Sequence, residues 1–430
     1  MRSVKKIFKN FISIPIVFGA YHFLWAFLGS KVHKYPSKSI FVIGVTGTKG
    51  KTTTLEILNS IFETAQKRTA VLSSLRIKIG DFSAKNRTGN SMPGKGYIQK
   101  FLRDAVKAKC AYAFIEVTSQ GVVAHRHRFV NWNMGIITNL APEHIESHGS
   151  FENYRKAKLD FLKYVLKKGG SVFINQDFND SQFFQKELGE SNVFIYSKND
   201  DWIEKHMSII YRSKLMNKNP NSEFLMSDFN KENVAVAVAV AKELGISDRI
   251  IEQALISFSG VEGRMDAQRI GDYVGFVDYA HTPESLEAIY KETKPKPNIN
   301  CENPKLVCVL GAAGGGRDKW KRPKMGEIAA RYCDDIILTD EDSYDEDVKN
   351  IIGEIRDGIK KTNFPQNHIY EILDRREAIK FAAGLLNPCD VLVTTGKGSE
   401  EWIHIANGKK IPWNEKEEVV NALIERKNRI

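Results

Sequence analysis

The stretch that most constrains this chain begins at Phe41. The run Phe41-Val-Ile-Gly-Val45 is apolar and β-branched, and it opens onto Thr46-Gly-Thr-Lys-Gly-Lys-Thr-Thr53. Beyond it, Leu55, Leu58, Ile61, Phe62 and Ala65 recur at helical spacing. A β-branched run followed by a recurrence of three and four residues predicts strand, tight loop, helix. A helix that follows a buried strand packs on a sheet, which commits the chain to an α/β architecture with further parallel strands. The backbone N–H groups of such a loop, with the N-terminus of the next helix, suit phosphate oxygens. Lys51 would neutralise charge on the outer phosphates and Thr52 would ligate Mg²⁺. The generic phosphate-loop spacing asks for glycine where Val45 stands, so that pattern fails by one residue.

The further strands are legible as apolar runs at 112–117, 134–140 and 171–175, with helical stretches between them. Residues 198–229 are polar, contain Asn-Pro-Asn, and read as loops or short edge strands. Lys231–Gly245 alternates Ala and Val, but its alanines and terminal glycine favour a helix. A second α/β series begins near Gly263, with strands expected at 274–280, 305–311, 335–340 and 390–396 and helices at 346–360 and 376–386. The expected organisation is therefore a basic apolar segment (1–37), a central phosphate-loop ATPase-type domain with a mostly parallel sheet (38–262) and a C-terminal Rossmann-like α/β domain (263–430).

Charge and cysteine usage narrow the partners. Of a formal net charge of +11, most lies in residues 1–38, where Arg2, Lys5, Lys6, Lys9, Lys31, Lys34 and Lys38 meet no acid. The remainder is near neutral, which excludes a nucleic-acid groove and leaves an arm suited to an anionic membrane surface. Residues 11–29 graze the length of a membrane span, yet Pro15, Tyr21, His22 and Trp25 fit an interfacial helix or one docked on the body. Both of those alternatives stay open. The five cysteines form no CxxC pair and cannot all pair within the chain. That predicts neither a disulfide framework nor a Cys-built zinc site, and points to a reducing compartment.

The loop TGTKGKTT resembles the ATP loop of the Mur ligases, which join an amino acid to a carboxylate at the expense of ATP. The resemblance runs from about residue 40 to the C-terminus through several motifs in the family's order. It implies that Gly47, Thr48, Lys49, Gly50, Lys51, Thr52 and Thr53 hold ATP. IEVTSQ (115–120) is similar to the family's Glu-Val-Ser-Ser stretch, which makes Glu116 a magnesium ligand. Arg126 falls where the family places a substrate-binding arginine, although with His125, His127 and Arg128 it also reads as a solvated basic cluster. The segment 138–161 resembles the family's second metal segment. There His144 matches a metal-binding histidine, and Lys158 matches a lysine that CO₂ converts to a carbamate, an anionic oxygen ligand for Mg²⁺. Asn233, in FNKENVAVA, matches an adenine contact, with helix capping as its plainer role.

The later motifs point to the branch that adds the third amino acid of the muramyl peptide. VEGRMD (261–266) places Arg264 on the ATP phosphates. DYAHTP (278–283) is the most diagnostic, and it implies that Asp278 and His281 face the nucleotide. In GGGRDKWKRP, Arg317, Lys321 and Arg322 align with anionic-substrate contacts, though each alone reads as a solvated charge. TTGKGSEEW (394–402) resembles the loop that holds the incoming amino acid, with Gly396 and Glu400 at the contacting positions and Ser399 in place of the usual histidine.

Two departures matter. Asp340-Glu-Asp-Ser343 stands where diaminopimelate- and lysine-adding members carry Asp-Asn-Pro followed by Arg or Ala, so the amino acid is not carried over. The ATP loop is reached by residue 44, so the family's uridine-gripping N-terminal domain is expected to be absent or reduced to one helix. The implied reaction is formation of an acyl phosphate and then an amide, from a UDP-muramyl peptide and an amino acid, in peptidoglycan precursor synthesis. Its groups lie on two domains, and their closure is expected to exclude water. The implied setting is cytoplasmic, with peripheral contact at the inner face of the membrane through residues 1–30. Ligation of a lipid-linked or non-muramyl acceptor, as in folylpolyglutamate or cyanophycin synthetases, and a nucleotide-binding scaffold remain the alternatives.

Overall fold

The computed structural model of the protein describes residues 15–143, 145–216, 221–297, 299, 301–316 and 318–429. These form two compact units: the described residues of Met1–Asn217 with Asp228–Phe258, and those of Lys218–Ser227 with Ser259–Ile430.

The first unit is built on an eight-stranded sheet. Its strands are β1 (Phe41–Thr46), β2 (Thr69–Leu72), β3 (Arg76–Ile79), β4 (Phe82–Lys85), β5 (Tyr112–Glu116), β6 (Met134–Ile137), β7 (Ser171–Asn175) and β8 (Val193–Tyr196). The order is β4-β3-β2-β5-β1-β6-β7-β8. All pairs from β2 to β8 are parallel, and only β2-β3 and β3-β4 run antiparallel. The inner strands are covered on both faces by helices, which is why they read as unbroken apolar runs. β1 lies at the centre between β5 and β6. Its Gly44 is required by packing, because a Cβ there would lie 2.6 Å from the Phe161 ring and 2.8 Å from that of Trp132. Gly44→Ala is therefore expected to lower stability by about 1–3 kcal/mol through overpacking, read as a lower denaturation midpoint at unchanged slope.

The polar stretch after residue 198 departs from expectation. It holds a 16-residue helix, Asp201–Met216, with Trp202, Ile203, His206, Met207 and Ile210 buried. Those positions keep helical spacing, but the charges between them hid it. Lys214 on this helix is also buried, and its ammonium donates to the carbonyls of Leu255 and Phe258 at the end of the helix Asp248–Ser257. Burial pushes its pKa down to about 8. The Ala/Val-rich stretch forms the helix Asp228–Glu243.

The N-terminal helix Pro15–Val32 docks on this unit. Phe23 and Phe27 meet Phe129 edge-on at 5.1 and 5.4 Å. Gly29 closes against Gly96, where a Cβ on Gly29 would lie 2.7 Å from the Gly96 Cα. The other side of the helix exposes Leu24, Leu28 and Val32. Among the described residues, no helix is long and apolar enough to cross a membrane.

The second unit has a six-stranded sheet of β9 (Asp266–Ile270), β10 (Tyr273–Asp278), β11 (Leu306–Leu310), β12 (Asp335–Leu338), β13 (Ile369–Glu371) and β14 (Val391–Thr395), ordered β13-β12-β11-β14-β10-β9. Only β9 is antiparallel to its neighbour. A separate hairpin pairs β15 (Trp402–Ile405) with β16 (Lys409–Pro412). The expectation of unpaired cysteines is corrected here: Cys308 is bonded to Cys333 and Cys301 to Cys389. The β11–helix–β12 crossover returns Cys333 to a Cα distance of 6.0 Å from Cys308, within ordinary bridging range, although 25 residues separate them. Spatial return, not CxxC spacing, decides the pairing. Cys110 is buried and free.

Candidate active site

In open parallel sheets, ligands settle beyond the carboxyl ends of the strands, where neighbouring connections diverge. In the first unit that place is the end of β1, flanked by β5 and β6. Two glycines shape the loop there. Gly47 has φ +146°, and a Cβ on it would lie 1.9 Å from the Thr138 hydroxyl. Gly50 has φ +82°, and a Cβ on it would lie 2.2 Å from Asn233 Oδ1. The segment after β6 holds the loop from outside. Asn139 accepts from Thr48 N through its carbonyl and from Lys49 N through its side chain, and the Thr138 hydroxyl donates 2.6 Å to the Lys49 carbonyl. Lys49 itself pairs with the buried carboxylate of Glu143 at 3.1 Å. Lys51 opens the helix Lys51–Thr64 and folds its ammonium onto the carbonyls of Gly47 and Thr48, both at 3.0 Å.

Glu116 is the last residue of β5 and is buried. Its Oε2 accepts from Ser74 N at 2.7 Å and from the Thr52 hydroxyl at 3.2 Å. Both bonds fall on one oxygen, which leaves the other to a further partner. Among the described residues there is no cluster of three His, Cys, Asp or Glu side chains that could hold a metal ion. One carboxylate beside a hydroxyl still suits Mg²⁺, which keeps several waters and takes its other ligands from phosphates. The donor set thus fits magnesium better than a soft metal.

Lys158 lies within the helix Phe151–Lys167 and is 1% exposed. Its nitrogen donates 2.8 Å to the Gly47 carbonyl, the same oxygen that Lys51 approaches. Its ammonium stands 4.4 Å from the centre of the Tyr154 ring. Burial, and then the Lys51 charge, push its pKa well below the ordinary lysine range, while Glu143 and Glu116 oppose the shift. A buried amine of lowered proton affinity is a nucleophile.

Asn233 is buried within the helix Asp228–Glu243, where it accepts 3.2 Å from the Thr54 hydroxyl and donates to Asn230. The helix starts at Asp228, so neither asparagine caps it. Arg126 lies apart from the loop, by the segment Met92–Gly96, and donates 2.6 Å to the Met92 carbonyl. His144 and Arg317 lie outside the described residues.

In the second unit, the remaining candidates gather at the ends of β10 and β14. Asp278 accepts from Met265 N and Ala280 N through its two oxygens, and its carbonyl accepts from Gly396 N. The Arg264 guanidinium lies 4.3 Å from the Tyr279 ring, and His281 Nδ1 is 2.7 Å from the Tyr279 carbonyl. Glu400 meets Tyr279 OH at 3.2 Å and the buried ammonium of Lys397 at 2.6 Å. Lys397 also binds Asp342, which in turn accepts from His404 N. Arg322, expected as a solvated charge, is instead fully buried between Glu346, Glu354 and the Ala313 carbonyl, and Lys321 is buried as well. Both stand at the start of the helix Lys321–Tyr332, which packs closely against the helix Val348–Lys360. Glu341 is buried and pushed up to about 7 by desolvation, and its Oε2 has no hydrogen-bond partner. That oxygen is 2.3 Å from where a Gly396 Cβ would sit.

Sequence reasoning missed Tyr154, Thr138, Asn139 and Lys397 as parts of these sites. Tyr154 precedes Lys158 by one helical turn, a spacing that places both on one face and was visible. Thr138 and Asn139 follow β6 directly, where a parallel strand delivers its loop.

The comparisons with known proteins agree on one family. Residues 45–241 match the Mur ligase middle domain, and residues 263–398 match the Mur ligase glutamate ligase domain. A UDP-N-acetylmuramoyl-L-alanyl-D-glutamate–2,6-diaminopimelate ligase of Syntrophomonas wolfei is 33% identical over 386 residues, covering 88% of this chain and 77% of its own. A UDP-N-acetylmuramyl-tripeptide synthetase of Deinococcus radiodurans is 31% identical and covers 91% and 80%. Among solved structures, a diaminopimelate ligase superposes at TM-score 0.57 with 24% identity, covering 93% of this chain and 82% of its own. The folylpolyglutamate synthase of Mycobacterium tuberculosis superposes at 0.64 with 13% identity, covering 87% and 92%, a likeness of fold.

Proposed function

The chain belongs to the Mur ligase family, and from that premise we propose that it adds an amino acid to the peptide carboxylate of a UDP-muramyl acceptor in peptidoglycan precursor synthesis. It is an ATP-dependent carbon–nitrogen ligase that uses Mg²⁺. The observation that supports the site assignment is the convergence of Lys51 and Lys158 on the Gly47 carbonyl, with Glu116 at the end of the neighbouring strand bonded to the Thr52 hydroxyl.

The acceptor's carboxylate oxygen attacks the γ-phosphorus of ATP, ADP leaves, and an acyl phosphate forms. The amine of the incoming amino acid then attacks the acyl carbon, inorganic phosphate leaves, and the amine's proton passes to solvent. Gly47 to Thr53 cradle the phosphates with backbone N–H groups, and Lys51 neutralises the charge that develops on them. Glu116, Thr52, His144 and Lys158 as a carbamate would hold magnesium, which would offset phosphate charge. Asn233 reads adenine. Arg264, Asp278 and His281 are assigned to the nucleotide, Arg126 and Arg317 to the acceptor, and Gly396 and Glu400 to the amino acid. The Lys397–Glu400 pair leaves Glu341 as the acid with unspent capacity beside Gly396. This supports an amino acid with a side-chain amine.

The test is phosphate release with ATP, Mg²⁺ and UDP-muramyl-L-Ala-D-Glu against a panel of amino acids, with mass spectrometry of the product. Turnover with a diamino acid, and product heavier by that residue, is expected. Silence across the panel would overturn the muramyl acceptor and favour a lipid-linked one.

The N-terminal helix supports a peripheral position at the inner face of the membrane. Leu24, Leu28 and Val32 are exposed on one side, and the segment is basic. Leu24→Glu with Leu28→Glu is expected to abolish co-sedimentation with anionic vesicles while turnover stays unchanged. Equal sedimentation of both forms would remove the membrane role.

A further inference from the structure

Lys397 is a buried cation just beyond β14. Its side chain is fully buried, and its ammonium is shared by two carboxylates, Asp342 at 2.9 Å and Glu400 at 2.6 Å. Burial lowers its proton affinity, but Glu400 and then Asp342 more than reverse that and raise its pKa, so it stays an ammonium. The two acids come from separate segments. Asp342 belongs to the turn after β12 and Glu400 to the loop after β14, and those two strands lie on either side of β11. Of the charges that act on the buried Glu341, that of Lys397 is the largest.

Both carboxylates are oriented from two sides. Asp342 Oδ1 accepts from Lys397 and from His404 N at 2.7 Å, and it lies 3.2 Å from His404 Nδ1. The same turn is tied to the β15–β16 hairpin again where Asn407 N donates 2.7 Å to Asp345. Glu400 accepts from the Tyr279 hydroxyl on Oε1 and from Lys397 on Oε2. Between them Gly398 leaves no slack, since a Cβ on it would lie 2.8 Å from both the Gly263 carbonyl oxygen and the Tyr279 Cβ. Asp342 is buried, whereas Glu400 keeps 38% of its side chain exposed. Asp342 is therefore the anchor, its capacity spent inside the protein, and Glu400 is the acid that faces outward. Without the ammonium, two carboxylates would stand close together in a partly dry place with nothing to offset their repulsion.

We propose that Lys397 is a positioning residue of the ligase reaction: it clamps the loop 396–400 to the turn 340–343 and so holds the Glu400 carboxylate in the direction from which it meets the amine of the incoming amino acid. This role rests on the reading of Gly396 and Glu400 as the amino-acid loop, whereas the clamp itself does not.

The test compares the full chain with Lys397→Met, which keeps most of the side chain's length and removes its charge, and with Asp342→Asn, which keeps the anchor's shape and removes its charge. Initial rates are measured with ATP, Mg²⁺, UDP-muramyl-L-Ala-D-Glu and the amino acid that the panel identifies. Lys397→Met is expected to raise KM for the amino acid about tenfold or more, the scale of one charge-assisted hydrogen bond, and to leave KM for ATP unchanged. Asp342→Asn is expected to shift the same constant in the same direction by less. An unchanged amino-acid KM, equal rises in both KM values, or a fall in kcat alone would overturn the positioning role. Hydrogen exchange of the resting protein needs no acceptor and is read beside the rates. Amides of 340–345 and 396–404 are expected to exchange faster in Lys397→Met while those of β10 and β11 stay protected, and unchanged exchange overturns the clamp. If exchange rises throughout the second unit, Asp342→Asn decides by the same KM criterion. A wild type silent with every amino acid, beside faster local exchange in the variant, would overturn the muramyl reading and leave the clamp standing.

Discussion

Lys158→Ala is expected to lower kcat by about 10²–10³-fold, the scale of losing one group that stabilises transition-state charge. Added acetate or another short-chain carboxylic acid is expected to restore part of it. The reasoning starts from burial. An ammonium at this position loses hydration, sits near Lys51 and has one carbonyl, that of Gly47, as its hydrogen-bond acceptor. The neutral amine is therefore favoured, and only a neutral amine adds to CO₂, losing a proton to become a carbamate. The anionic oxygens so made restore charge balance beside Lys51 and offer a hard ligand to magnesium. Removing dissolved CO₂ should slow the wild type and leave the alanine variant unaffected. The stability sign agrees: the unfolded lysine holds its proton more tightly than the folded one, so this group's contribution to stability rises with pH toward the ordinary lysine range. Full activity of the alanine variant would end the carbamate assignment.

Arg375→Met is expected to destabilise the second unit by about 3–5 kcal/mol, the usual cost of leaving one member of a buried ion pair alone. Arg375 and Glu415 are 1% and 0% exposed as side chains and pair at 2.6 Å. The guanidinium also donates to the carbonyls of Thr395 and Asp340, and Trp413 donates to Glu415. Arg375 therefore ties together the chain beyond β12, the end of β14 and the start of the last helix. Glu415→Leu alone should cost a similar amount, whereas Arg375→Met with Glu415→Leu should recover most of it, since no lone charge remains. Denaturant titrations of the three forms check this. A double mutant as unstable as the sum of the singles would show that the tie to Thr395 and Asp340 matters more than the charges.

Much of this architecture was legible before any coordinates. Buried parallel strands announce themselves, because sheets covered on both faces leave no room for polar alternation, and β1, β5, β6, β7 and β11 all read that way. The phosphate-type loop was legible for the same reason that it is rigid: few residues other than glycine tolerate the backbone at 47 and 50. What stayed hidden depends on partners distant in sequence. Lys397 and Asp342 are 55 residues apart and Arg375 and Glu415 are 40 apart, and nothing local marks either as a pair. The edge strand β4, Phe-Ser-Ala-Lys, and its neighbour β3, Arg-Ile-Lys-Ile, carry polar and charged residues that mask them from a hydrophobicity reading. The cysteine pairing failed likewise, since a crossover, not a spacing, brings Cys333 to Cys308.

The contact of Gly50 with Asn233 has a mechanical meaning. Together with the bond from Thr54 to Asn233, across 179 residues of sequence, it clamps one side of the phosphate cradle to a buried helix. On the opposite side, Lys49 meets Glu143 with its ammonium partly in water. The cradle thus resembles a doorway with both jambs set in masonry and a latch, the Lys49 side chain, on one of them. The backbone of Lys49 is held by Asn139 and Thr138, so the adjustment that admits and releases a nucleotide falls to its side chain, and substitutions of that side chain will be felt in turnover before they are felt in folding.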